Sequence, residues 1–229
     1  MVMKTKILLF SSLVLLLFSF RNSVTELDFD FADTYCSKIE KQVRVIAKQY
    51  DLKSSELIPI VYPECSRFSV ISNVFESDIL SYYYVQDGTK GADFSVGYFQ
   101  MKPSFLEDLE AIISQDSNFT QYRSKFAYPK VSAKEIRTER LNRLFSETWQ
   151  MEYLCVFVKY AKLKYKPSED ISFLEFTASA YNYGFTKPQE EIIAWTKQKA
   201  FPNGLKSNKE NFVYSKLAQN YKLKKYGNE

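Results

Sequence analysis

Glu64 is the residue best placed to move a proton. The chain has no histidine, so proton transfer near neutral pH falls to a carboxylic acid whose pKa is raised by an apolar setting. Glu64 follows Ile58-Pro59-Ile60-Val61-Tyr62-Pro63, a run that belongs in a core. Taken alone, it also reads as the solvated end of a helix. Two other segments shift that balance. Gly97-Tyr98-Phe99-Gln100-Met101-Lys102-Pro103-Ser104 sets a Gly and a Gln among aromatics, and Ala180-Tyr181-Asn182-Tyr183-Gly184 sets Tyr-Asn at a helix end beside a glycine. Amides and tyrosine hydroxyls are neutral donors and acceptors. They suit the hydroxyls and acetamido groups of a sugar, and aromatic rings can stack on sugar faces.

Composition excludes much else. Without histidine there is no Ser-His-Asp triad, Cys-His dyad, HExxH zinc site or other His-ligated metal. The chain holds only 6 glycines in 229 residues, and no phosphate-cradling glycine loop occurs. Few glycines and 7 prolines also argue against an all-β barrel or sandwich. Cys36, Cys65 and Cys155 form no CxxC pair and read as small buried apolar residues. The net charge is +4, and only +1 once Lys4, Lys6 and Arg21 are set aside. That gives no argument for nucleic acid as a partner. No metal or cofactor is expected.

The elements that must hold these residues are helices. Met1 to Arg21 reads as a secretory signal, with Lys4 and Lys6 before an apolar stretch from Ile7 to Phe20. The organisation expected is a signal peptide or anchor over 1–23, a helical extension over 24–50, a main domain over 51–222 and a polar tail over 223–229. Phe31 to Tyr50 is expected to be helical, and Asp51 to cap a second helix from Ser54 to Ser66. Pro59 and Pro63 predict a kink or an early end there. Tyr82-Tyr83-Tyr84-Val85 suggests a short strand or buried coil, and Asp87-Gly88 a turn. Ser104, Ser132 and Ser172, each followed three residues later by Glu, predict capping boxes. Asp116 to Lys130 reads as a polar loop. Val131 to Lys166 fits one long helix or two in succession. Glu190 to Lys199 and Lys209 to Tyr221 read as two more.

Together these segments resemble the lysozyme-like lytic transglycosylases of the soluble lytic type, related in fold to goose-type lysozyme. That family carries a catalytic Glu usually followed by Ser, then GLMQxxPx(T/S), then AYNxG, then a late ETxxYV segment. Similar to these, in the same order, are Glu64-Cys65, Gly97 to Ser104, Ala180 to Gly184, and Glu210-Asn211-Phe212-Val213-Tyr214. The resemblance spans roughly Asp51 to Tyr221. It implies a mainly α, lysozyme-like domain with a cleft, and a short hairpin or extended flap near 82–97.

The resemblance also implies roles. Glu64 would protonate the glycosidic oxygen between N-acetylmuramic acid and N-acetylglucosamine of peptidoglycan strands, then act as base. The sugar's own C6 hydroxyl would close onto C1, giving a 1,6-anhydro end in place of the usual two-carboxylate scheme. Tyr181 would orient Glu64 and stabilise positive charge on the ring. Gln100, Met101, Ser95, Gly97, Tyr98 and Asn182 would contact substrate, and Glu210 more peripherally. Pro63 before the glutamate and Cys65 after it depart from the family pattern, as does the spacing of 33 residues from Glu64 to Gly97. Asp93, four residues before Gly97, or else Asp87, is a candidate second carboxylate that would hold a water and turn the reaction to hydrolysis. Asp93 reads equally as a loop aspartate or helix cap. A third reading is an exported glycan-binding or envelope-scaffold module. The expected location is the periplasm or cell envelope.

Overall fold

The structure, a computed structural model, describes residues 27–129, 132–166 and 170–227. The segment read as a secretory signal lies outside them. Among the described residues no helix is long and apolar enough to cross a membrane.

The protein is mainly helical. Its centre is α2 (Ser54–Ser66), preceded by α1 (Phe29–Lys48). From Leu57 to Ser66 every residue of α2 is buried. A helix that is apolar on all sides must sit inside others, and α1, α7 (Phe173–Tyr183) and α9 (Tyr214–Tyr226) surround this one. That setting overrides the expected break: α2 runs through both Pro59 and Pro63. Side-chain donors also reach two carbonyls of this helix. The Tyr214 hydroxyl donates to the Ile60 carbonyl (2.8 Å), and Ser66 Oγ to the Pro63 carbonyl (2.7 Å). Asp51 does not cap α2. It turns the chain at φ +52°, and Lys53 N instead donates to Glu56 Oε2 at 2.9 Å.

Helix α3 (Val70–Ile79) continues into a π-helical turn, Leu80–Tyr84, and a short helical turn, Val85–Asp87. The tyrosine run is therefore helical rather than a strand. No hairpin spans 82–97; the only pairing there is a bridge between Val96 and Met101 that closes a tight turn. Tyr84 is fully buried, so burial outweighs the β propensity of the run.

Helix α4 (Pro103–Gln115) follows. The stretch read as a polar loop after it holds a 3₁₀ segment, Ser117–Tyr122, and one helical turn, Arg123–Phe126, because Phe119 and Phe126 are buried. Two helices then occupy the Gly- and Pro-free region, α5 (Ala133–Leu144) and α6 (Glu147–Lys164). Ser146 caps the second, accepting from Trp149 N at 3.4 Å. The interruption leaves Phe145 exposed, while Leu141, Leu144, Leu154, Phe157, Val158 and Ala161 are buried.

At α7 both halves of the capping box form: Ser172 Oγ accepts from Glu175 N, and the Glu175 carboxylate accepts from Ser172 N. Gly184 ends that helix at φ +126°. After α8 (Gln189–Trp195) comes an antiparallel pair that the sequence did not announce, β1 (Lys199–Phe201) with β2 (Phe212–Val213), and α9 extends to Tyr226.

One buried network fixes α4 to its neighbours. Arg140 on α5 donates to Glu110 Oε2 from Nε (2.9 Å) and Nη2 (2.7 Å), and to Glu107 Oε1 from Nη1 (3.0 Å). Tyr153 on α6 donates to Glu110 Oε1 at 2.6 Å. Breaking a buried pair strands a charge, at roughly 3–5 kcal/mol. Arg140→Met is expected to lower the stability of the protein by that amount in denaturant titration. Adding Glu110→Gln should restore part of the loss, because the stranded carboxylate is then gone.

Candidate active site

Glu64 sits in the last turn of α2, with only 5% of its surface exposed. Burial pushes its carboxyl above the usual carboxylate range. Arg67, a hydrogen bond from Asn182 and the charge of Lys102 act in the opposite direction. The Asn182 amide is oriented from behind. Trp195 Nε1 donates to Asn182 Oδ1 at 3.0 Å, and an indole can only donate. The amide NH₂ is therefore the group left to face Glu64. Arg67, the first residue after α2, places Nε 3.3 Å from Glu64 Oε2.

Residues 95–101 form the opposite lip. Val96 N donates to Met101 O at 2.9 Å, closing the turn. Gly97 takes φ +75° and Gln100, unusually for a side-chain-bearing residue, φ +50°. The Gln100 amide is engaged at both ends: Nε2 donates to Gly97 O (2.8 Å), while Oε1 accepts from Ser95 Oγ (3.1 Å) and Arg67 Nη2 (3.3 Å). Three helices hold this turn. Asn73 on α3 accepts from Gly97 N at 2.6 Å. Gln150 on α6 donates to Val96 O (3.1 Å) and Leu144 O (2.7 Å) and accepts from Phe99 N (3.3 Å). Tyr181 on α7 donates to Phe99 O at 2.6 Å.

Between α2, this turn and α7 lies a cleft of about 380 Å³. Glu64, Ser95, Gln100, Met101, Tyr181 and Asn182 all line it. The sequence pattern therefore brings together residues that are up to 118 positions apart, from Glu64 to Asn182. The other five candidates do not line it. Tyr98 stacks on Tyr35 and lies tilted against Phe68, with ring centroids 4.0 and 4.2 Å away. Asp87 is exposed after the π-helical turn, and Glu210 is exposed just before β2. Asp93 is a helix cap: its Oδ1 accepts from Ser104 N (2.9 Å) and its Oδ2 from Ser104 Oγ (2.7 Å). Ser104 is thus capped rather than capping, and α4 begins at Pro103. Gly97 shapes the turn without lining the cleft.

Some site residues escaped the sequence reading. Arg67, Lys102 and Asp108 also line the cleft. Arg67 was findable, because a residue three beyond Glu64 shares its helical face. Asn73, Gln150 and Trp195 had no sequence signal, since their roles depend on contacts between distant helices.

No family model, curated protein or solved structure matches the chain. The chemistry of the site is therefore argued from its geometry. A carboxyl that holds its proton more firmly than usual can act as a general acid. The neutral amides around it can bind hydroxyl and carbonyl groups. Cysteine nucleophiles do not fit: all three thiols are buried, and burial pushes Cys65 and Cys155 far from ionisation. Among the described residues no group of three or more Cys, Asp or Glu converges to hold a metal.

The placement of Asp93 yields a prediction. Asp93→Ala should lower stability by about 1–2 kcal/mol through loss of the cap, read as a shift in thermal midpoint.

Proposed function

We propose that this chain is a peptidoglycan lytic transglycosylase of lysozyme-like fold. It cleaves the β-1,4 bond between N-acetylmuramic acid and N-acetylglucosamine and leaves a 1,6-anhydro end. The observation that carries the reading is a buried glutamic acid on the wall of an open cleft, with two amide side chains beside it. Glu64 gives its proton to the glycosidic oxygen as the C1–O bond breaks. As carboxylate it then takes the proton of the C6 hydroxyl, whose oxygen bonds to C1. The four motif segments in family order support the same assignment. Asn182 and Gln100 are suited to an acetamido group and to ring hydroxyls. On this reading the substrate lies in the bacterial envelope, and the leader over 1–23 delivers the chain there.

Hydrolysis on the same scaffold is the second reading. It is favoured by one observation, Asp108, a second carboxylate lining the cleft. If a water attacks C1, Asp108 is the candidate to hold it, since Asp93 is engaged in capping Ser104 and does not line the cleft.

The test is a digest of purified peptidoglycan by wild type and Glu64→Gln, read by mass spectrometry. Products one water lighter than hydrolysed muropeptides, absent with the variant, support the transglycosylase. Reducing ends would move the assignment to a muramidase and make Asp108→Asn the next variant. No release by wild type, with retention on intact sacculi, would leave a glycan-binding module.

A further inference from the structure

Arg67 creates a conflict within the site. A general acid must carry its proton before the reaction, yet a guanidinium 3.3 Å away favours the bare carboxylate. The other charged group that acts on Glu64 is Lys102, at the start of α4. Asp108 lines the cleft further along α4. Tyr181 from α7, Tyr214 from α9 and Cys65 from α2 also face Glu64, but burial keeps all three in their neutral forms. Arg67 is thus the closest charge that could decide the protonation state of Glu64.

Its contacts are loose. Glu64 Oε2 is buried and has no hydrogen-bond partner, so the approach of Arg67 is a charge contact without hydrogen-bond geometry. The second contact, from Nη2 to Gln100 Oε1, is 3.3 Å long. Gln100 would keep its Ser95 donor if Arg67 left. The guanidinium also lies over Phe201, 5.8 Å from the ring centroid, and 32% of the side chain is exposed. Arg67 itself lines the cleft, within reach of what binds there. A substrate carbonyl or carboxylate there would offer it a charge-assisted hydrogen bond that Glu64 does not provide.

We propose that Arg67 is a positioning residue that substrate draws away from Glu64, opposing protonation of the carboxyl while the cleft is empty and ceasing to oppose it when a glycan binds. The proposal rests on the glycan reading above. The incoming group is a carbonyl-type oxygen, of the acetamido or lactyl substituent. The proton comes from solvent and ends on Glu64; no other bond changes. Glu64 is thereby more readily protonated in the complex than in the free protein.

Such a device separates two pH profiles, because kcat/KM reports the free enzyme and kcat the complex. The experiment uses uncrosslinked glycan strands prepared from peptidoglycan, with wild type, Arg67→Met and Arg67→Lys. In wild type, loss of kcat/KM on the alkaline side should begin at lower pH than loss of kcat. In Arg67→Met the two limbs should coincide, with KM raised about 10-fold by loss of a charged hydrogen bond. Arg67→Lys, which keeps the charge, should restore part of the separation. Coincident limbs in wild type would overturn the proposal. A second measurement needs no turnover: the carboxyl carbon of Glu64, identified by its absence in Glu64→Gln, is titrated by NMR. Its midpoint should move to higher pH in Arg67→Met, and an unchanged midpoint would also overturn the proposal. If wild type cleaves no glycan, the functional reading fails by itself, while the titration still decides the coupling between Arg67 and Glu64.

Discussion

Replacing Glu64 with glutamine is expected to lower glycan cleavage by on the order of 10³-fold and to make the protein more stable at neutral pH. The first effect follows from removing the proton that the leaving oxygen must receive. Glutamine keeps the shape and can still accept from Asn182, so binding to sacculi should persist. The second effect follows from burial. Desolvation raises the Glu64 pKa in the folded protein, so the folded state binds that proton more tightly than the unfolded chain. Stability then falls as pH rises from the ordinary carboxyl value of about 4.3 through the raised folded value. Glutamine does not titrate. The melting midpoints of variant and wild type should therefore converge below the ordinary value and separate above it. Arg67 reduces the gap without closing it, being partly solvated and outside hydrogen-bond geometry. Rates come from muropeptide release and midpoints from thermal melts across the pH series. A variant with wild-type rate would remove Glu64 from the chemistry.

This combination, a residue that costs stability and that the proposed reaction needs, explains how the sequence betrays the site. Glu64 interrupts an apolar run where nothing structural asks for a carboxylate, and that conflict is visible in one dimension. Tyr181-Asn182 and Gln100 are visible for a related reason: polar groups set among aromatics and glycines. The helices that carry them were legible from capping boxes and periodicity, most clearly at Ser172–Glu175, where both halves of the box form. The failures have a common origin. Pro59 and Pro63 predict a break, but packing on all sides of α2 outweighs the lost donors. The tyrosine run near 82–84 favours strand locally, yet buried Tyr84 joins the Arg140–Glu107 network and the segment stays helical. In the sequence Asp93 stays open between a second catalytic carboxylate and a helix cap, and its partner Ser104, eleven residues on, makes it a cap. In each case the deciding contact is long-range, and a local pattern cannot report it.

Gly97→Ala is the structural counterpart to the glutamate experiment, and its expected effect on stability is the largest of any single methyl added to this site. Gly97 takes φ +75°, which costs an alanine roughly 1–2 kcal/mol by itself. The added Cβ would also stand 2.1 Å from Gln150 Nε2. That nitrogen cannot yield cheaply. Gln150 is buried, and its amide makes the three hydrogen bonds that tie Val96 and Phe99 to Leu144. Moving it exposes no group to water; it leaves buried donors and acceptors unpaired, at roughly 1–3 kcal/mol each. The sum is about 4 kcal/mol or more, which for a chain of this size lowers the midpoint by on the order of 10 °C. Activity should fall with it even below the melting range, because the same turn sets Gln100 and Met101 against the cleft. Combining Gly97→Ala with Gln150→Ala separates the two causes. Removing the amide makes room for the methyl, so the double variant should be little worse than Gln150→Ala alone, leaving only the φ penalty. Full additivity of the two losses would mean that the methyl and the amide never meet, and that the close packing of α6 beneath the turn is not what holds the cleft open.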